Sequence, residues 1–221
     1  MSSDPSFHDF VTQRQITEMV MGRVAEHVYD RAIINNVERA DYVECLVELI
    51  MQSADPRWRL TETWDAWDVE HTGTGARLEI KQSSFLQSWS GPSSATTEAN
   101  PRFDISSREW DWSRCAHGEY HNSPSEGGRS ADVYVFAWHG EPDEAFADQR
   151  AASQWEFLVV PESELPAQKS IGLNPLRQLA RRCTYRSLAS EVLEAIPDGS
   201  LLKAKRYAVR EPCPYCRPGG S

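Results

Sequence analysis

The stretch DVEHTGTGARLEIKQS, residues 68–83, carries an Asp, a Glu and a Lys at a spacing that two neighbouring strands would bring together. Two short alternating runs flank a glycine-rich turn, which is the pattern of a β-hairpin. A two-residue loop at Gly73-Thr74, of type II′ with Gly73 supplying φ > 0, pairs Thr72 with Gly75, Glu70 with Arg77 and Asp68 with Glu79. Trp67, Val69, Leu78 and Ile80 then share one face, and Asp68, Glu70, Arg77, Glu79 and Lys81 share the other. Glu70 opposite Arg77 is a favourable pair. Asp68 opposite Glu79 is not, because directly opposed Cβ atoms lie about 4.5–5.5 Å apart and like charges there destabilise a hairpin. Two readings are open. Either a divalent cation sits between the carboxylates with Lys81 beside it, or the hairpin is exposed and the carboxylates splay into water.

The elements that must hold this hairpin can be read on either side of it. Ile16 to Ile33 repeats apolar residues at helical spacing, and Ala40 to Met51 does so again, with Asp41 as its cap and Pro56 beyond its end. Trp58 to Trp67 leads into the hairpin as a first strand, and SSFLQSW, residues 83–89, reads as helical. Residues 88–129 are poor in periodicity and rich in Ser, Thr, Pro, Gly and Asn, with one island around Arg102–Arg114 that suits a short strand. Its Trp110 and Trp112 either stack on unpaired bases or cover a core edge. ADVYVFAWHG and QWEFLVVPES are strands, the first nearly continuous in apolar residues as in a strand covered on both faces. Helices follow at NPLRQLARRC and SLASEVLEAI, and LLKAKRYAVR reads as a last edge strand. Helices before and after a central set of strands predict an α/β layered fold.

Composition bounds the rest. The 221 residues, 40% of them hydrophobic and eight of them Trp, are ample for one packed domain. Five cysteines without a framework spacing suit a reducing compartment. The opening MSSDPSFHDF lacks a basic region followed by an apolar run, and no apolar run approaches the roughly 18 residues of a membrane span, so neither a secretory leader nor a membrane span is expected and a cytoplasmic protein is. The net charge of −10 argues against a nucleic-acid partner until its distribution is considered. Between Pro166 and Arg210 nine basic residues, among them Lys169, Arg177 and Arg181, meet three acidic ones, so that segment carries +6 and the remainder −16. An acidic body with one basic face can follow a phosphate backbone; the same residues also suit solvated helix faces.

The order of a helix, a strand bearing Asp68, a strand bearing Glu79-Ile80-Lys81 and a further helix resembles the restriction-endonuclease-like, PD-(D/E)XK nuclease superfamily. Asp68 matches its first acidic position, Glu79 its second and Lys81 its lysine, while Trp67 stands where the motif has proline. Glu26 resembles the glutamate that many members carry on the helix before the hairpin. The run LEIKQSSFLQSW, with DVYVFAWH and QWEFLVVP, is similar to a bacterial group within the superfamily. The resemblance implies a restriction-endonuclease-like core, a central mixed β-sheet flanked by helices, spanning 1–206 with an irregular insertion near 88–130 and a Cys-containing tail at 207–221. It implies a Mg²⁺- or Mn²⁺-dependent endonuclease acting on DNA, with Asp68, Glu79 and the Ile80 carbonyl as ligands and Lys81 orienting the attacking water. Glu26 would assist through water or a second ion; Gln82, Gln87, Lys169, Arg177 and Arg181 are candidate nucleic-acid contacts. The alternative is an inactive nuclease fold that binds nucleic acid, modified DNA included, or a protein. With no recognition domain evident, a homodimer or a targeting partner would supply target choice. Cys213-x-x-Cys216 has the spacing of half a structural zinc site, but four ligands are normally needed and no second CxxC exists; Cys115 and His117 would have to complete it across a long separation, and a redox pair is the other reading.

Overall fold

The seven residues Val133–His139 are buried without exception, which requires packing on both faces of the strand they form. In the computed structural model, which describes residues 13–61, 66–88, 101–107, 110–114, 120–124 and 128–199, this strand lies inside a six-stranded mixed sheet. The elements are α1 (Gln13–Tyr29), α2 (Asn36–Ala54), β1 (Trp58–Leu60), β2 (Val69–His71), β3 (Arg77–Ser84), β4 (Arg102–Asp104), β5 (Trp110–Arg114), β6 (Tyr120–Pro124) and β7 (Val133–His139). They continue with β8 (Trp155–Pro161), β9 (Ser170–Gly172), α3 (Leu173–Leu179), β10 (Arg181–Cys183) and α4 (Leu188–Ala195). The sheet order is β1-β2-β3-β7-β8-β10. β1, β2 and β3 form an antiparallel meander, β7 runs parallel to β3 along its whole length, and β8 and β10 return antiparallel.

Two cores follow from the strict alternation of side chains. Leu78 and Ile80 of β3, with Val133, Val135 and Ala137 of β7, pack against Val43, Val47 and Met51 of α2 and Leu188 and Val192 of α4. On the other face Tyr134, Phe136, Leu158 and Val160 meet Phe103, Ile171, Leu173 and Leu176, supplied by the small β4-β9 sheet and α3. The fold is therefore α/β, with helices on both sides of a mixed sheet. Among the described residues no helix is long and apolar enough to cross a membrane.

Several expectations are corrected. Helix α2 starts at Asn36, so Asp41 lies inside it and caps nothing. Residues 83–88 form no helix, because parallel pairing with β7 draws β3 out to Ser84 opposite His139. The run 174–183 is divided: α3 ends at Leu179, and Arg181–Cys183 pairs with β8 as the edge strand. The strand expected at 201–210 lies outside the described residues, as do Cys115, His117, Cys213 and Cys216 and the side chains of Trp110 and Trp112.

Candidate functional site at the β2–β3 edge

The hairpin ladder pairs Val69 with Leu78 and Glu70 with Arg77, and the Glu70–Arg77 charges lie 3.5 Å apart. The loop differs from the expected one. His71 N–H donates to the Ala76 carbonyl at 2.9 Å, which leaves Thr72 to Gly75 as a four-residue turn. Gly75, with φ 68°, takes the left-handed conformation expected of Gly73. Gly73 serves close approach instead: a Cβ there would lie 2.6 Å from Arg57 Nη1. The buried His71 ring stitches the turn together, with Nδ1 3.0 Å from Thr74 N and Nε2 3.2 Å from Asp55.

At the other end of β2 the ladder is interrupted, and this interruption positions Asp68. Its N–H donates to the Leu78 carbonyl at 2.9 Å, although Leu78 already pairs with Val69. Two residues thus face one, which is a β-bulge. The extra residue moves Trp67 off the face of Val69, so its ring lies under the Arg77 guanidinium at 3.5 Å and joins the second core. The carboxylate of Asp68 turns toward β3, where Oδ2 accepts the Ile80 N–H at 2.6 Å. Thr61 holds the same segment from β1, its N–H donating to the Asp68 carbonyl at 3.0 Å. On its β2 side, β3 continues beyond Leu78 with no further ladder partner on that strand.

Glu79 and Lys81 project from the face opposite Leu78 and Ile80. The Glu79 side chain is 5% exposed and its Oε1 lies 2.5 Å from Lys81 Nζ, while the Lys81 side chain is 29% exposed. The fourth group is one the sequence reading missed. Glu44 sits on α2 beside the core residue Val43, half-buried. Burial pushes its carboxyl up to about 7, the charges of Asp68, Asp41 and Glu79 add to that rise, and Lys81 opposes it. Glu44 thus lies within electrostatic reach of Asp68, Glu79 and Lys81, although Glu79 and Lys81 leave β3 on the face away from α2.

The raised Glu44 pKa carries a stability consequence. A carboxyl whose folded pKa exceeds its ordinary value of 4.5 costs nothing below that value, and the folded state loses stability as pH rises from 4.5 through about 7. Glu44→Gln is expected to raise stability at pH 8 in EDTA by about 1–2 kcal/mol, after discounting the shift for partial solvent exposure, and to leave it unchanged at pH 4. Thermal melts at the two pH values check this.

Glu26 lies on an exposed stretch of α1 and is paired within its own helix. Its side chain is 69% exposed and bonds Arg23, 83% exposed, at 2.9 Å, on a helix whose residues from Gln15 to His27 are all exposed. Of the candidate nucleic-acid contacts, Gln82 accepts Arg39 Nε at 2.6 Å and Gln87 accepts Arg39 Nη2 at 2.8 Å, so both amides serve a buried network. Arg177 is bonded to Glu156, and Arg181 to Glu194 at 3.0 Å. The positive count between Pro166 and Arg210 overlooked Glu156, a β8 residue that also binds Arg182 at 2.6 Å. Lys169 is exposed.

Among the described residues, no three His, Cys, Asp or Glu side chains are already arranged to hold a metal ion. The donor chemistry nonetheless suits a hard cation. Carboxylate oxygens predominate, and a divalent ion would offset both the burial that raises the Glu44 carboxyl and the neighbouring negative charges that add to it. No family model, curated protein or solved structure matches the chain.

Proposed function

We propose that the chain is a divalent-cation-dependent nuclease of restriction-endonuclease-like fold that hydrolyses phosphodiester bonds in DNA. What supports this reading is that Asp68 is bonded to Ile80, between Glu79 and Lys81 on β3, and that Glu44 of α2 lies within reach of the charges of all three. The antiparallel β1-β2-β3 meander with β7 parallel to β3, and α2 laid across it, supports it.

Asp68 and Glu79 would hold the Mg²⁺ or Mn²⁺, with the Ile80 carbonyl beside them and Glu44 in the place assigned from sequence to Glu26. When bound, such an ion neutralises phosphate charge and lowers the pKa of a coordinated water. Lys81 supplies an ammonium that orients the attacking water and offsets negative charge gathering on the phosphorus oxygens. The Asp68–Ile80 bond fixes the first carboxylate against β3, so its position does not depend on a loop. Glu44, its carboxyl pushed up to about 7, carries its proton only part of the time near neutrality and would give it up as positive charge arrives.

The test is incubation of the protein with supercoiled, linear and single-stranded DNA in Mg²⁺ or Mn²⁺, beside Asp68→Ala and Lys81→Ala. Cleavage that persists undiminished in both variants sinks the assignment. Glu26→Ala, by contrast, is expected to leave cleavage within about twofold, as for other exposed helix-surface pairs. A binding-only module is favoured by one observation: Asp68 and Glu79 already engage Ile80 N–H and Lys81. In that case Mn²⁺ calorimetry gives no Asp68-dependent heat, while DNA retention survives.

A further inference from the structure

We infer that Lys81 is the internal counter-ion of this site, occupying Glu79 when no divalent cation is bound and holding down the affinity with which the cluster takes one up. The inference rests on the cation-binding reading above and adds a role for the ammonium before any chemistry begins. Glu79 lies almost wholly out of water, with a side chain 5% exposed, and a carboxylate there is costly unless a positive charge or donors compensate it. Lys81 supplies that charge from two residues along the same strand face, with Nζ 2.5 Å from Oε1.

The same contact sets up a competition. An ammonium and a divalent ion directed at one carboxylate oxygen repel each other, and repulsion in a partly buried site is poorly screened. Uptake of a cation at Glu79 therefore works against the Lys81 contact at Oε1 and favours its displacement. The geometry permits this: the Lys81 side chain is 29% exposed, against 5% for its partner, so the ammonium has water to retreat into. A lysine stem carries a compact charge through several rotatable bonds, which suits a group that must leave one oxygen and turn to another. Displacement would release the ammonium toward the phosphate and water at the moment the cation arrives.

The experiment is isothermal titration of MnCl₂ into the full chain, comparing wild type with Lys81→Met, Lys81→Gln and Lys81→Arg, and with Asp68→Asn as the control for the cation site itself. Lys81→Met is expected to bind Mn²⁺ at least about tenfold more tightly, or about 1.4 kcal/mol. Lys81→Gln keeps a donor to Glu79 without the charge; it is expected to shift in the same direction and keeps the test available should the methionine variant fail to fold. Lys81→Arg retains the charge and is expected to stay within about twofold of wild type. A merely structural lysine would not separate the charged from the neutral replacements. Binding that depends on Asp68 but is unchanged or weakened in both neutral variants overturns the counter-ion role and leaves the cation site standing. Absence of binding in wild type and all variants overturns both.

Discussion

Asp68→Asn is expected to keep the fold and to lower DNA cleavage by about a hundred- to a thousandfold, the range found when a single electrostatic contribution to a transition state is removed. The conservative replacement matters because Asp68 has two tasks. One oxygen accepts the Ile80 N–H at 2.6 Å and secures the middle of β3 against the bulge. Asparagine retains a carbonyl oxygen able to accept that bond, so the bulge and the ladder survive. What asparagine cannot supply is the negative charge that attracts a cation. Asp68→Ala mixes the two tasks, since it also leaves the Ile80 N–H without this acceptor. Circular dichroism and thermal melts of Asp68→Asn alongside its cleavage rate separate them. A variant that unfolds would mean the carboxylate is structural first; a variant that cleaves normally would remove it from the chemistry.

The largest effect on stability is expected at Arg39→Met, about 3 kcal/mol, which for a chain of this size corresponds to a melting temperature lower by about 6–12 °C. Arg39 is 1% exposed, and its guanidinium joins the start of α2 to the 82–87 stretch. Nε donates to Gln82 at 2.6 Å, while Nη2 donates to Asn36 and to Gln87, each at 2.8 Å. Gln87 in turn donates to the Ser84 carbonyl at 2.6 Å, and Gln149 donates to Ser84 Oγ at 2.8 Å while accepting Ile34 N–H at 2.8 Å. The network ties the start of α2 to the far end of β3 and to the 141–150 segment. Methionine fills much of the volume but leaves the buried Gln87 oxygen and the half-buried Gln82 oxygen without the donors they now accept. Because α2 also carries Glu44, a loosened α2 is expected to weaken cleavage too, through position alone. Chemical denaturation curves of the two proteins, read at equal slope, measure the loss.

How far the sequence foretold this arrangement depends on which physical signal each part left. The pairing of Glu70 with Arg77 was legible because complementary charges and strict alternation admit one register. The turn differs from the expected one because the run HTGTG offers two glycines: Gly73 and Gly75 both suit a hairpin, and the His71 and Arg57 contacts decide between them. The bulge at Asp68 left no local mark, yet it sends Trp67 to the other core. Glu26 and Glu44 are both glutamates among apolar helical neighbours. Choosing between them requires knowing which helix packs on the sheet, and that is settled by Val43, Val47 and Met51, which face it, against the exposed Val20 and Val24 of α1. The short connection from α2 to β1 was the available clue, since a helix so close in sequence to a strand usually packs beside it. The basic segment shows the opposite limitation. A count of charges along the chain cannot see Glu156, which reaches Arg177 and Arg182 from β8.

The most direct measurement is anomalous scattering from crystals of the protein soaked in Mn²⁺. The expected result is a single strong peak bounded by the carboxylates of Asp68 and Glu79, with Glu44 nearby and the Lys81 ammonium moved off Glu79. A map without a peak there under saturating Mn²⁺, with Lys81 still bonded to Glu79, would contradict the assignment of this cluster as a cation site.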